Sequence, residues 1–359
     1  MSRPGPAGTA ALLAVLLTAA GCGTGTETLT VATDPPAAEA VFPGTEWEAG
    51  TVTDDVAADL ASRASVVFAR GPGEGGPKAA LVIKGGRVVF ERYADGFDES
   101  SVMPSFSVAK SVLSVAVGMA IDRGVITLAD AGLHPSWPAG DPRASITVED
   151  MLHMRSGLQW DEDFTDGDPS RMLASSAGVA DYAARKKLVT EPGSTFAYST
   201  GTSAILASYL NDKLGGSTAL VAFLRDNLFA PLGITSMVPL LDKSGRWVGG
   251  IGADATVRDW ARFGWMVRNG GTWDGRRIVS AGWLDYSRRS KELDGVYLAH
   301  WWRLSSTSLA AVGLHGQAII VDESLDSVVV IAYGDAPDED EGLQLGLQLL
   351  GAVALSYSD

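Results

Sequence analysis

The sequence predicts an α/β (α+β) fold. An antiparallel sheet is flanked by helices from both chain termini, and a mainly helical segment is inserted between its strands. Three observations carry this expectation. Early in the chain, ALVIK (80–84) and RVVFERY (87–93) flank Gly85-Gly86, a two-residue hairpin signal. Late in the chain, AIIVD (318–322) and SVVVIAY (327–333) flank a turn from Glu323 to Asp326. Between these pairs of strands, roughly 105–245 reads as helix and loop.

Taken in order, residues 1–21 read as an export signal rather than structure. Arg3 is their only charge, and the short apolar run TAALLAVLLTAA ends at Gly21-Cys22. A membrane-spanning helix needs about 20 apolar residues, more than this run supplies. Cys22 is the sole cysteine, and with Ala19-Ala20-Gly21 before it the site resembles the lipobox of bacterial lipoproteins. The chain is therefore expected at the outer face of the cell membrane, lipid-anchored at Cys22. The alternative is an ordinary cleaved signal and a secreted protein. Residues 22–50, rich in Thr, Gly, Pro, Ala and Glu, read as a flexible tether. Residues 54–70 suit a helix that GPGEGGP (71–77) ends. The chain closes with a helix over 341–357, carrying Leu343, Leu345, Leu347, Leu349, Leu350 and Val353 after the acidic cluster Asp338–Glu341. The expected division is a sheet domain from 51–104 and 246–359, with a helical domain at 105–245.

Composition narrows the function. Lys and Arg number 28 against 43 Asp and Glu, a net charge of −15, and the longest run of cations is the single triplet Arg185-Lys186-Lys187. A phosphate-binding surface needs clustered cations, so nucleic-acid binding is not expected. One Cys and four His supply neither a disulfide framework nor a thiolate metal site, and no His pair has helical ligand spacing. The chemistry is left to hydroxyls, amines and carboxylates, with no cofactor or metal.

The stretch SFSVAKSVLSVAVGMAIDRG (105–124) is the most informative. From Val108 to Ile121 its only charge is Lys110, and a helix apolar on all sides is a buried one. Ser107 lies three positions before Lys110, so hydroxyl and amine share one face at the helix N-terminus. Desolvation there lowers the pKa of the amine toward that of a useful base. The helix start also offers N–H groups to a developing oxyanion. By itself a Ser three places before a Lys is a common pair. At the head of a buried helix, a Lys without a role is costly. A Lys paired structurally with a carboxylate is the bland alternative.

With these residues in view, the chain resembles the serine β-lactamase and penicillin-binding-protein superfamily. The likeness is to the class C-like branch that includes esterases and 6-aminohexanoate-dimer hydrolases. It runs from about Ala80 to the C-terminus. The segments that carry it are ERYADGF (91–97), PSFSVAKS (104–111), DMLHMRSGLQWDE (150–162), EPGSTFAYSTGTSAILASYL (191–210), ATVRDWARFGWMVRNGGTWDGRRI (255–278) and GLHGQAIIVD (313–322).

The resemblance implies an acyl-serine mechanism on a small ester or amide, with Ser107 as nucleophile, Lys110 as its partner and Tyr198 as proton carrier. The family's Tyr-x-Asn reads Tyr198-Ser199-Thr200 here, so Thr200 replaces an amide that β-lactamases use on substrate. The Lys-Thr-Gly motif is absent: with Gly313 in register, Ala311 and Val312 stand in place of its Lys and Thr. A cation that grips the carboxylate of β-lactams and peptidoglycan stems is thereby missing. GLHGQ is similar instead to the stretch in 6-aminohexanoate-dimer hydrolases and esterases. In that register the N–H groups of Ser107 and Leu314 form the oxyanion hole. Gly313, His315 and Thr200 line the site, and of the pair Trp301-Trp302, Trp301 is the candidate for its rim. His315 equally reads as a strand histidine bonded to backbone. The acids Asp161, Glu162 and Asp163 read as a solvated loop, with binding of a substrate amine as the alternative. β-Lactamase or D,D-carboxypeptidase activity, and a non-catalytic sensor of the same fold, remain the alternatives.

Overall fold

The computed structural model describes residues 40–288, 295–334 and 340–355. The export signal, Cys22 and the tether up to residue 39 lie outside the described residues. Five helices of twelve or more residues occur among them: α1 (Asp54–Phe68), α2 (Val108–Asp122), α3 (Thr200–Leu214), α4 (Val257–Arg268) and α5 (Glu341–Ala354). One sheet has six strands: β1 (Pro77–Lys84), β2 (Arg87–Tyr93), β3 (Trp302–Arg303), β4 (Ser308–Gly313), β5 (Gln317–Asp322) and β6 (Ser327–Tyr333). Their order is β2-β1-β6-β5-β4-β3, and every neighbouring pair is antiparallel. The early and late hairpins thus meet at the centre, where Leu81 faces Val330 and Val82 faces Val329.

Local chemistry explains the turns. Gly85 and Gly86 sit at φ 57° and 76°, the left-handed pair that matches the twist of a two-residue hairpin. Along β1, alternation divides the core. Ala80 and Val82 pack with α1 and α5 on one face, while Ala79, Leu81 and Ile83 join α2 and α4 on the other. Because both faces are covered, β6 is buried along its whole length, which its near-continuous apolar run anticipates.

Residues 41–50 correct the expected tether. They are packed on the folded body, and residues 41–359 form one compact unit. Trp265 Nε1 donates to the Val41 carbonyl (2.8 Å), and Arg262 donates to the carbonyls of Gly44 (2.9 Å) and Thr45 (2.7 Å). Phe42 meets Trp273 with ring centroids 5.2 Å apart, and Ala49 bridges Val88. A composition poor in apolar periodicity concealed a segment that docks through its backbone carbonyls.

Candidate active site

Helix α2 is buried from Val108 to Ala120, as its all-round apolar surface requires. Its serines satisfy themselves against a facing loop: Ser111 Oγ donates to the His300 carbonyl and Ser114 Oγ to that of Ala299, each at 2.8 Å. At its head, Ser107 and Lys110 are brought together, with Nζ 2.9 Å from Ser107 Oγ. Nζ also donates to Thr200 Oγ1 (3.0 Å) and to the Gly250 carbonyl (2.9 Å). Three acceptors therefore surround an amine that is 1% exposed. Burial pushes it down from 10.5 to about 8, a fall that the charge of Glu162 limits.

The turn before Ser107 is held from the far side of the chain. The Ser105 N–H and Oγ both donate to Asp254 Oδ1 (2.8 and 3.0 Å), and Ser105 Oγ accepts from the Ala253 N–H (2.7 Å). Met103 and Ala255 pair alongside. So fixed, the chain passes through Phe106 at φ 43°, a left-handed conformation that costs a non-glycine residue roughly 1–3 kcal/mol. Phe106 packs edge-on against His315, centroids 5.2 Å apart.

The expected run of free N–H groups at the start of α2 needs correction. Those of Val108, Ala109 and Lys110 are taken by the carbonyls of Ser105, Phe106 and Ser107 at 3.0–3.1 Å, a tightened first turn. The Ser107 N–H precedes that turn and lies beside β4. A Cβ built on Gly313 would come within 3.1 Å of Ser107 N and 2.5 Å of the Ser105 carbonyl, so only glycine admits this approach. Leu314 follows at the start of the β4–β5 turn, half-buried, and His315 and Gly316 carry that turn at φ 60° and 82°. Half-buried His315 lies beside the residue that precedes Ser107.

Tyr198 is half-buried, its ring 4.8 Å from Lys110 Nζ. It stacks on Trp302 (centroids 5.8 Å, 28° between planes) and meets Tyr297 edge-on at 5.5 Å. Trp301, the residue expected at the rim, is instead in the core. It is 1% exposed and parallel to Phe263 at 6.0 Å, because alternation along the chain sends neighbouring residues to opposite faces. Trp302 is the member of the pair that reaches Tyr198. Phe196, partly exposed, extends this aromatic wall through Tyr297 at 5.4 Å.

Two contributors were not anticipated. The Gly250 carbonyl comes close enough to accept from Lys110 only because the residue lacks a side chain; a Cβ there would lie 2.9 Å from the Thr200 carbonyl. Glu162 is no part of a solvated loop. Its Oε2 accepts the Thr200 N–H at 2.8 Å and the indole N–H of Trp160, while Oε1 accepts the Thr200 hydroxyl. Asp161 and Asp163 on either side are exposed, as expected. The signal for Glu162 was Trp160 two places earlier, since residues two apart in extended chain share a face.

His300 is buried nearby with φ 63°. Its Nδ1–H donates to the Leu152 carbonyl (2.8 Å), so Nε2 accepts from Ser203 Oγ (3.0 Å), and burial pushes the imidazole down to about 3. Among the described residues no group of three or more His, Cys, Asp or Glu side chains is arranged to hold a metal ion.

Comparison with known proteins bears on the fold and the family. The family profile described as Beta-lactamase matches residues 74–352. A 6-aminohexanoate-dimer hydrolase of Paenarthrobacter ureafaciens is 28% identical over 314 residues, covering 76% of each chain. Among solved structures, a penicillin-binding protein homolog from Caulobacter crescentus superposes with a TM-score of 0.67 at 17% identity, over 86% of this chain and 99% of that one. EstCE1, a hydrolase with promiscuous acyltransferase activity, superposes with a TM-score of 0.65 at 18% identity, over 83% and 99%. The chain belongs to the beta-lactamase family of serine hydrolases.

Proposed function

We propose that this chain hydrolyses a small ester or linear amide through an acyl group on Ser107. The observation that carries the reading is the 2.9 Å contact between Ser107 Oγ and a buried amine lowered to about 8. A lysine in that state has a substantial neutral fraction near neutral pH and can take the hydroxyl proton as Oγ attacks the carbonyl carbon. The N–H groups of Ser107 and Leu314 receive the oxyanion, an effect worth about 3 kcal/mol for a single donor. The proton then passes, with Tyr198 as carrier, to the leaving alcohol or amine. Water repeats the sequence to release the acid and free Ser107.

Substrate preference follows from what stands at the strand. Ala311 and Val312 carry no charge, so a substrate carboxylate finds no partner there, and the aromatic wall of Phe196, Tyr198, Tyr297 and Trp302 suits an apolar group. Esters and linear amides fit this better than β-lactams. The similarity to a 6-aminohexanoate-dimer hydrolase supports the same choice. We further propose export, with a lipid on Cys22 holding the protein at the outer face of the cell membrane. Mass spectrometry of the mature amino terminus tests this, and an unmodified terminus would mean a secreted protein.

A fluorophosphonate probe tests the chemistry. Wild type is expected to be labelled on Ser107 and Ser107→Ala to stay unlabelled; no labelling of wild type would falsify the hydrolase reading. A panel of short-chain esters, linear amides and a chromogenic cephalosporin, run on wild type and Tyr198→Phe, tests the substrate class. Cephalosporin turnover matching the best ester would overturn it.

A further inference from the structure

We infer that Glu162 is a positioning residue for this acyl transfer, acting through the Thr200 hydroxyl to aim the Lys110 amine at Ser107. The inference rests on the function proposed above and concerns a residue outside the Ser-Lys-Tyr set. A threonine hydroxyl has one proton and two lone pairs. Here the proton is committed to Glu162 Oε1, and a carboxylate cannot return one. Thr200 Oγ1 therefore faces Lys110 as an acceptor only, at 3.0 Å. The Gly250 carbonyl, at 2.9 Å, is an acceptor by nature.

A neutral amine has two N–H bonds and one lone pair. With both hydrogens claimed by Thr200 and Gly250, the lone pair is left for the third neighbour, Ser107 Oγ. That is the orientation a base needs to receive the serine proton. Glu162 is itself held by the Thr200 N–H and the Trp160 indole, and Gly201 lets that indole lie against the start of α3. The carboxylate and the first residue of α3 move as one piece.

Among the described residues, the titratable groups near Lys110 on other elements are Glu162 from the loop after Gly157, Tyr198 before α3 and His300 before β3, with Tyr297 behind Tyr198. Burial keeps the His300 imidazole neutral and holds the Tyr297 phenol well above its ordinary value, so neither competes with Glu162 as a charge. In Glu162→Gln the amide presents N–H groups to Thr200 Oγ1. The hydroxyl is then free to turn its proton onto the Lys110 lone pair and draw it from Ser107.

The test measures the rate of Ser107 phosphonylation and of p-nitrophenyl ester turnover from pH 6 to 10. The proteins are wild type, Glu162→Gln, Thr200→Val, Thr200→Ser and the Glu162→Gln/Thr200→Val double variant. Glu162→Gln is expected to slow both reactions about 10- to 100-fold, up to the lower end of what a positioned proton-transfer group contributes, since it acts through the base rather than as the base. KM should stay close to wild type. The acidic limb should move to lower pH, because the charge that favours the ammonium is gone. Thr200→Val should lose as much and the double variant no more, since both act through one hydroxyl; Thr200→Ser should recover most of the loss. Wild-type rates in Glu162→Gln would overturn the inference alone. So would additive losses in the double variant with an unmoved limb. Wild type that is not labelled at all would overturn the function and the inference together.

Discussion

Lys110 binds less well to its proton in the folded chain than in the unfolded one. Its ordinary value of 10.5 falls to about 8 on burial. Between those values the unfolded chain holds a proton that the folded chain has released, so the folded state gains stability as pH rises through the window. Well below pH 8 both states carry the proton, and the cost of burying the charge is fully present. The stability of wild type relative to Lys110→Met is therefore expected to rise from pH 8 to 10.5, by up to about 3 kcal/mol. Urea unfolding of both proteins across that range measures it, and a difference flat in pH would mean the amine titrates at its ordinary value. The same residue was the most legible in the sequence, because a lone charge in an apolar helix needs a reason. Its partners Gly250 and Glu162 were not. Gly250 acts through a backbone carbonyl that every residue possesses. Glu162 sits between two exposed acids, and only Trp160 two places earlier on the same face of the chain separates it from them. The Trp301–Trp302 pair lay between these cases: a rim aromatic was foreseen, but which of two neighbours faces Tyr198 depends on a strand register that only the folded sheet sets.

At the scale of elements, short-range patterns told most. Gly85-Gly86 fixed the first hairpin, the apolar alternation of β1 its two-faced burial, and the charge-free run after Lys110 the body of α2. What escaped was the joint between elements. The segment ending in Asp254 holds the turn before Ser107, an attachment across 149 positions that no local pattern encodes. Asp254→Ala removes the acceptor of both Ser105 donors, and Ser105 is fully buried. The N–H is left stranded while the hydroxyl keeps the Phe106 carbonyl at 3.4 Å, a loss of roughly 1–3 kcal/mol. The strained Phe106 backbone, held by that attachment, would relax toward ordinary φ and carry Ser107 N away from Gly313. The expected result is a lower unfolding midpoint together with slower fluorophosphonate labelling. The pH at which labelling turns on should stay where it is in wild type, because Lys110 keeps its neighbours. A shift of that limb in Asp254→Ala would assign the aspartate an electrostatic role instead.

For the molecule as a whole, the amino-terminal edge of the folded body is the feature composition hid. Arg262 is 3% exposed, and three of its hydrogen bonds go to the carbonyls of Leu232, Gly44 and Thr45. Two of those three acceptors belong to residues that read as tether. A chain starting at Val41 keeps them, along with the Phe42–Trp273 contact and the bond from the Trp47 indole to the Arg258 carbonyl. A chain starting at Thr51 leaves a buried guanidinium short of acceptors, with Asp259 3.9 Å away as its remaining carboxylate partner. A hydrogen bond to a charged group contributes about 1.5–3 kcal/mol, and uncovering Trp265 and Trp273 adds lost apolar burial. The chain from Thr51 is therefore expected to unfold at least several degrees below the chain from Val41, as read by thermal scans of the two purified proteins. Fluorophosphonate labelling at low temperature should survive in both, since residues 41–50 contact the back of α4 and the β2 edge rather than Ser107. Equal midpoints would return residues 41–50 to the tether.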